Sequence, residues 1–440
     1  MDALDRLEAA ITAGLSSSHL LNVSGIVREV APSHYSVSGI SQFVRLGDRI
    51  GLDANGRIQI GEVVRIDADA VVVKPFEGRI DASVGYRARR LGHASLMPHP
   101  LWKGRVVNAM GDPIDDLGPL SIGSDPMPSD AEPPPAMSRA RVQSSLKTGV
   151  RAIDLFTPLC HGQRIGIFAG SGVGKSTLLS MLARCQGFDT IVVALVGERG
   201  REVREFLEGP IEQTRDRAVM IVSTGDESPM MRRQAPKTAL CIAEYFRDRG
   251  ESVLLIVDSV TRFAHAARDV ALAAGEPAVA RGYTPSVFSD LPRLLERAGP
   301  GEEGKGSITG IFSVLIDGDD HNDPVADSIR GTLDGHIVLD RAIADQGRYP
   351  AINVLGSISR LADNVWTSEQ KELVRRLRSM IARFEDTRDL RLMGGYNPGN
   401  DPELDQAVAL VPKIYDALRQ DPAMPASTDA FQELAEILRK

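Results

Sequence analysis

Arg164-Ile165-Gly166-Ile167-Phe168-Ala169-Gly170-Ser171-Gly172-Val173-Gly174-Lys175-Ser176-Thr177 is an apolar run that breaks into glycines and then resumes as helix-forming sequence. A strand, a glycine-rich turn and a helix in that order make a phosphate-binding loop. Gly170, Gly172 and Gly174 permit backbone conformations and close approaches that a Cβ obstructs, so successive N–H groups from Gly170 through Ser171, Val173 and on to Thr177 can point at polyphosphate oxygens. Lys175 adds a fixed cation. The helix carried forward by Leu178, Leu179, Met181 and Leu182 turns its positive end toward the same anion. The Ser176 hydroxyl is placed to reach a Mg2+ ion. The first position of the motif holds Ala169 instead of glycine, and the mechanism does not depend on it.

Further along, Val253-Leu254-Leu255-Ile256-Val257-Asp258 is an apolar strand ending in a carboxylate. In an open α/β sheet ligands bind at the carboxyl ends of strands, so Asp258 is expected to reach the metal. Hydrolysis also needs a water polarised by a base. Glu198, in Gly197-Glu198-Arg199-Gly200-Arg201-Glu202 just beyond the strand ending at Val196, is the candidate, with Arg199 beside it. Taken alone, a charge-rich loop reads equally well as solvated surface. The acidic stretch Asp317-Gly318-Asp319-Asp320-His321-Asn322-Asp323 fails as a calcium loop, because its sixth position is Asn322 and its twelfth is Ser328. Asp323-Pro324 reads instead as an N-cap and first helical turn.

At 440 residues, with 42% apolar and 25% charged residues, the chain has the composition of an ordinary globular protein of several domains. Its 51 Lys and Arg against 59 Asp and Glu leave a net charge of −8, which argues against wholesale nucleic-acid binding. Cys160, Cys185 and Cys241 are far apart and lack metal-ligand spacing, the usage of small core residues in a reducing compartment. No stretch approaches the roughly 20 apolar residues of a membrane span, and no signal peptide is evident. A cytoplasmic chain is expected, with membrane association only through partners.

In order along the chain, residues 1–20 repeat Leu4, Leu7, Ile11 and Leu15 at helical spacing, an amphipathic helix that packs on its own domain or docks another protein. Residues 21–94 hold short β-rich runs such as Phe43–Leu46 and Ala70–Val73, the pattern of a small barrel. Residues 95–366 contain a proline-rich, extended surface connection near 124–135 and then alternating strands and helices of a parallel sheet. The expected strands are Ile165–Ala169, Thr190–Val196, Val219–Ser223, Val253–Val257, Ile308–Leu315 and His336–Leu339. Residues 367–440 turn helical: Thr367 and Gln370 are spaced as a capping box, Pro402 starts a helix, and Ser427 or Thr428 caps the last one.

With these elements assembled, the chain resembles the hexameric rotary-type ATPases, the family of the catalytic subunits of F-type and V-type ATPases. Pro350-Ala351-Ile352-Asn353-Val354-Leu355-Gly356-Ser357-Ile358-Ser359 is similar to that family's signature segment. Asp258-Ser259-Val260-Thr261-Arg262-Phe263-Ala264 and Gly282-Tyr283-Thr284-Pro285-Ser286-Val287-Phe288 look like the type III protein-export ATPases, most closely the flagellar ones. The resemblance implies a RecA-like P-loop ATPase core of α/β class, with an N-terminal β-barrel and a C-terminal helical domain, binding ATP and Mg2+. It assigns phosphate and Mg2+ to Lys175 and Ser176, metal support to Asp258, and the base to Glu198. It makes Arg360 an arginine finger reaching a neighbouring subunit, and sets Tyr349 and Tyr396 against the adenine ring.

Because one chain carries both Glu198 and Arg360, a ring of identical copies can complete every interface, so a homohexamer is expected. The resemblance further implies a stator-like regulatory protein at the N-terminal helix, a coiled-coil stalk facing the loop around Asp319, and chaperones, export substrates and the membrane export gate at the C-terminal helices. An injectisome ATPase, the catalytic subunit of a proton-driven ATP synthase and a ring-shaped RNA translocase share this core. The last needs a basic, aromatic-bearing N-terminal domain, whereas residues 23–91 contain only Tyr35, Phe43, Phe76 and Tyr86 with mixed charge.

Overall fold

The computed structural model describes residues 23–142, 144–209, 211–316 and 323–439. The helix expected over residues 1–20 and the acidic stretch 317–322 lie outside them. The chain divides into two compact units, one formed by the N-terminal part to Ala94 together with Asp269–Glu276, the other by Ser95–Arg268 and the chain from Pro277 onward. The inclusion of Asp269–Glu276 in the first unit has no counterpart in the sequence pattern.

In the first unit six strands close a barrel: β1 (Ser24–Val30), β2 (Tyr35–Ser38), β3 (Asp48–Ala54), β4 (Arg57–Ile66), β5 (Ala70–Pro75) and β6 (Arg87–His93), in the order β1-β2-β5-β4-β3-β6. Val27, Val37, Ile50, Leu52, Val63, Val71 and Val73 fill its interior at alternate positions, as strand pleating dictates. Asp48 is fully buried, and its carboxylate accepts from the Arg90 guanidinium at 2.7 Å.

The second unit is built on a largely parallel sheet, nine-stranded among the described residues. Its main path runs β14 (Ile358–Ser359), β13 (Gly335–Leu339), β8 (Arg164–Ala169), β12 (Ser307–Leu315), β11 (Ser252–Asp258), β9 (Thr190–Glu198), β10 (Ala218–Thr224) and β7 (Val106–Asn108). The six expected strands are all present, lengthened by a residue or two. The edge strands β7 and β14 were not expected: three and two residues carry too little pattern to stand out, and only pairing with β10 and β13 makes them strands.

Successive residues of the inner strands separate into two cores. Ile191, Val193 and Leu195 join the core that includes Leu178 and Leu182, whereas Val192, Ala194 and Val196 join the one that includes Leu240 and Phe246. Both faces are covered, which is why these strands read as unbroken Val and Ile.

The C-terminal helices are α7 (Ser368–Asp386), α8 (Arg388–Leu392), α9 (Pro402–Leu418) and α10 (Ala430–Arg439), numbered after α1 (Arg151–Phe156), α2 (Lys175–Ala183), α3 (Gly200–Glu208), α4 (Pro229–Arg247), α5 (Pro324–Thr332) and α6 (Arg341–Asp345). The capping box of Thr367 and Gln370 is formed, and Asp323 caps α5 through the N–H groups of Val325 and Ala326. The cap of α10 is neither Ser427 nor Thr428. Asp429 accepts from the N–H groups of Phe431 and Gln432, while the Ser427 hydroxyl is drawn off to donate to Glu433 at 2.8 Å. Val374, Leu377, Ile381, Val411 and Ile414 pack into the same core as α1 and α2, so the helical region from 367 shares its interior with the parallel sheet.

The proline-rich connection is extended, and it is also pinned. The carbonyl of buried Ser129 accepts from Arg297 at 2.9 Å, and Arg297, 1% exposed, makes two 2.8 Å bonds to Glu244. No described helix is long and apolar enough to cross a membrane. All three cysteines are buried free thiols.

Candidate nucleotide site

Parallel register brings the carboxyl ends of β8, β9, β11 and β12 to one edge. Leu195 lies opposite Asp258, Val257 opposite Phe312, and Phe168 opposite Val314. The turn after β8 is the glycine loop, in which Gly172 and Gly174 adopt φ of +78° and +94°, conformations that L side chains rarely take. Helix α2 starts directly at Lys175. Arg341, first residue of α6, donates to the Ser171 carbonyl at 3.1 Å and steadies the loop from outside.

Beyond the loop is a cavity of about 270 Å³ lined by Ser176, Thr177, Glu198 and Asp258, with Glu202, Glu205 and Arg184 at its sides. The Lys175 ammonium donates to the Asp258 carboxylate and sits 3.5 Å from Glu198. Asp258, 4% exposed, also accepts from the Ser313 hydroxyl at 2.5 Å. Ser313 was missed: in Ile311-Phe312-Ser313-Val314-Leu315 a lone serine gives no sign that β12 will align it with the end of β11.

Glu198 closes β9 after an irregularity in its pairing with β10. Burial pushes its carboxyl up to about 7; Lys175 opposes that rise, and Asp258 and Glu202 add to it. A carboxylate poised near neutrality beside a phosphate loop can take a proton from water at physiological pH. The Ser176 hydroxyl and Asp258 carboxylate are hard oxygen donors of the kind Mg2+ takes. Among the described residues no group of three or more His, Cys, Asp or Glu is placed to hold a metal ion.

The opposite side of the loop opens into a cavity of about 550 Å³ lined by Gly172, Gly174, Thr177, Tyr349, Arg419, Gln420 and Pro422. A Cβ on Gly174 would stand 3.4 Å from Cδ1 and Cε1 of the Tyr349 ring, so one edge of the ring abuts the loop. The segment 350–359 is a fold of its own. Asn353 accepts from the N–H groups of Leu355 and Gly356 and donates to Asp340, the cap of α6, while the Ser357 hydroxyl bonds the Asn353 carbonyl. That knot sets Tyr349 at one end and Arg360 at the other. Arg419, Gln420 and Pro422 were not anticipated, because nothing in a polar stretch after α9 marks it as cavity lining.

The remaining expected residues lie elsewhere. Tyr396 does not line either cavity; its hydroxyl donates to Asp405 at 2.7 Å within the C-terminal helices. Arg199 is 86% exposed and faces Glu202 at 3.7 Å. Arg360 follows edge strand β14, is exposed, and its backbone N–H donates to the Asp334 carbonyl, away from the chain's own phosphate loop cavities.

Residues 149–359 match the family model described as ATP synthase alpha/beta family, nucleotide-binding domain, and residues 366–436 match the T3SS EscN ATPase C-terminal domain. The flagellum-specific ATP synthase of Agrobacterium fabrum is 58% identical over 415 residues, 94% of this chain and 88% of that protein. The solved structure of the assembled ATPase EscN from the type III secretion system of enteropathogenic E. coli is similar with TM-score 0.88 and 39% identity, covering 94% of this chain and 100% of that one. A second EscN structure, in complex with its central stalk EscO, gives 0.85 at 38% over the same shares. Near full-length identity to a flagellar enzyme, carried on a fold shared with an injectisome ATPase, means that the chain belongs to the flagellum-specific ATP synthases, the flagellar branch of the type III export ATPases, and is an ATPase.

Proposed function

We propose that the chain hydrolyses Mg2+-bound ATP in a homohexameric ring and thereby energises export of flagellar proteins. In this reading ATP lies along the glycine loop with its triphosphate under Lys175 and its base against Tyr349. Ser176 and Asp258 hold the Mg2+, which neutralises phosphate charge when bound. Glu198 accepts the proton of the attacking water, and Arg360 of each subunit reaches the phosphates held by its neighbour. The observation that supports the reading is an asymmetry: Ser176, Thr177 and both carboxylates line one cavity, with Lys175 bonded to Asp258 beside it, whereas Arg360 stands exposed just after edge strand β14 and lines neither loop cavity. A group so placed can serve an adjoining copy and not its own site. An assembled relative and one bound to a central stalk support ring formation around a coiled-coil partner.

The N-terminal helix would receive a stator-like protein, and the C-terminal helices chaperones, substrates and the export gate. The setting would be the cytoplasm, peripheral to the inner membrane. Specific activity measured across protein concentration tests the proposal. It should rise steeply as rings form; monomer as active per chain as the assembled state would refute it.

A further inference from the structure

We infer that Gln420 is a positioning residue for the base end of the nucleotide, locking Tyr349 in its stacking orientation. The inference rests on the proposed seating of the base against Tyr349. Tyr349 is 42% exposed, so packing alone does not fix its ring. What fixes its backbone is the Gln420 N–H, which donates to the Tyr349 carbonyl at 2.8 Å. Gln420 is itself 4% exposed and held at the other end: its Nε2 donates to the Gly149 carbonyl at 2.7 Å, and its Oε1 accepts the Arg151 N–H at 3.1 Å.

Those two contacts tie the residue to a rigid post. Asp154 accepts from the N–H groups of Thr148 and Gly149 and from the Thr148 hydroxyl at 2.7–3.0 Å. Gly149 has φ of +75°, and a Cβ there would come 2.7 Å from that of Ala426, so the post and the 419–427 segment are in direct contact. Three more bonds hold the segment down: Ser427 N–H to the Gly149 carbonyl, the Arg151 guanidinium to the Arg419 carbonyl, and Arg184, just past α2, to the Pro422 carbonyl. The side chain needed at 420 must donate and accept at once from the end of a two-methylene stem. Glu only accepts, Leu does neither, and Asn is one methylene short.

A merely structural glutamine and a positioning one differ in what its loss does to ligands with and without a base. The full chain and its Gln420→Ala, Gln420→Glu and Tyr349→Ala variants are titrated with Mg2+-ATP and with Mg2+-tripolyphosphate, which lacks the base. The stacking contact gives about threefold to tenfold in affinity, so both Gln420 variants should weaken ATP binding by that factor and leave tripolyphosphate unchanged. Tyr349→Ala should do the same, and adding Gln420→Ala to it should cost nothing more. Equal loss for both ligands in both Gln420 variants, unchanged ATP affinity, or an additive double variant would overturn the proposal. If Tyr349→Ala leaves the preference for ATP over tripolyphosphate intact, the base site itself fails and this inference with it. If only the Gln420 variants leave it intact, the base site stands and Gln420 is a strut.

Discussion

Replacing Glu198 with Gln should raise stability and abolish catalysis together, and the two effects have one origin. The carboxyl titrates near 7 in the folded chain against an ordinary value of 4.5, chiefly because burial disfavours its charged form. Between those values the folded state binds more protons than the unfolded one. The stability that follows is therefore present below pH 4.5 and lost as pH rises through 7. A rise of about 2.5 pH units at 1.36 kcal/mol each sets a ceiling of about 3 kcal/mol on the destabilisation above pH 7. Gln keeps the shape and removes the charge. Urea unfolding of the nucleotide-free protein should show the variant more stable than the parent at pH 8, by up to about 3 kcal/mol, and level with it near pH 4.5. Turnover should fall by about 10² to 10⁴ while ATP still binds, and the rise of kcat/KM with pH near 7 should vanish. A variant less stable than the parent at pH 8, or one retaining a tenth of the activity, would refute the reasoning.

The finger proposed to act in trans can be tested by complementation. Glu198→Gln and Arg360→Ala chains, each inactive alone, should regain activity when mixed and reassembled, since about a quarter of random interfaces then pair an intact cradle with an intact finger; no recovery in verified mixed rings would count against a finger in trans. Tyr349→Ala should raise the KM for ATP by about threefold to tenfold with little change in kcat, whereas Tyr396→Ala should alter neither, because that side chain bonds Asp405 and lines neither loop cavity. A KM change at Tyr396 would restore it to the base site. Glu244→Ala leaves the Arg297 charge buried without its two bonds and should cost about 3 to 5 kcal/mol in denaturant unfolding; a cost below about 1 kcal/mol would mean that water reaches Arg297.

Much of this protein could be read from local pattern. The glycine loop announces itself because its function requires a backbone without side chains at fixed spacing. The inner strands announce themselves because burial on both faces forces continuous Val and Ile, and Thr367 and Asp323 cap their helices through bonds spanning three residues or fewer. Asp429 displaced Ser427 and Thr428 as the cap of α10 because the nearby Glu433 carboxylate claims the serine hydroxyl, a competition that spacing does not reveal. Tyr396 fell outside the cavity for a similar reason, being captured by Asp405.

By itself, then, the amino-acid order determined the chemistry: a phosphate loop, a strand-end carboxylate, a candidate base, and a signature segment between Tyr349 and Arg360. Tertiary structure alone decided which distant groups meet. Strand register delivers Ser313 to Asp258, burial raises the Glu198 carboxyl to about 7, and the 419–427 segment folds back over residues 149–151 to line the cavity beside Tyr349. Short-range bonds leave a period or a spacing in the sequence, whereas contacts across 55 or 271 residues arise from packing of whole elements and leave none.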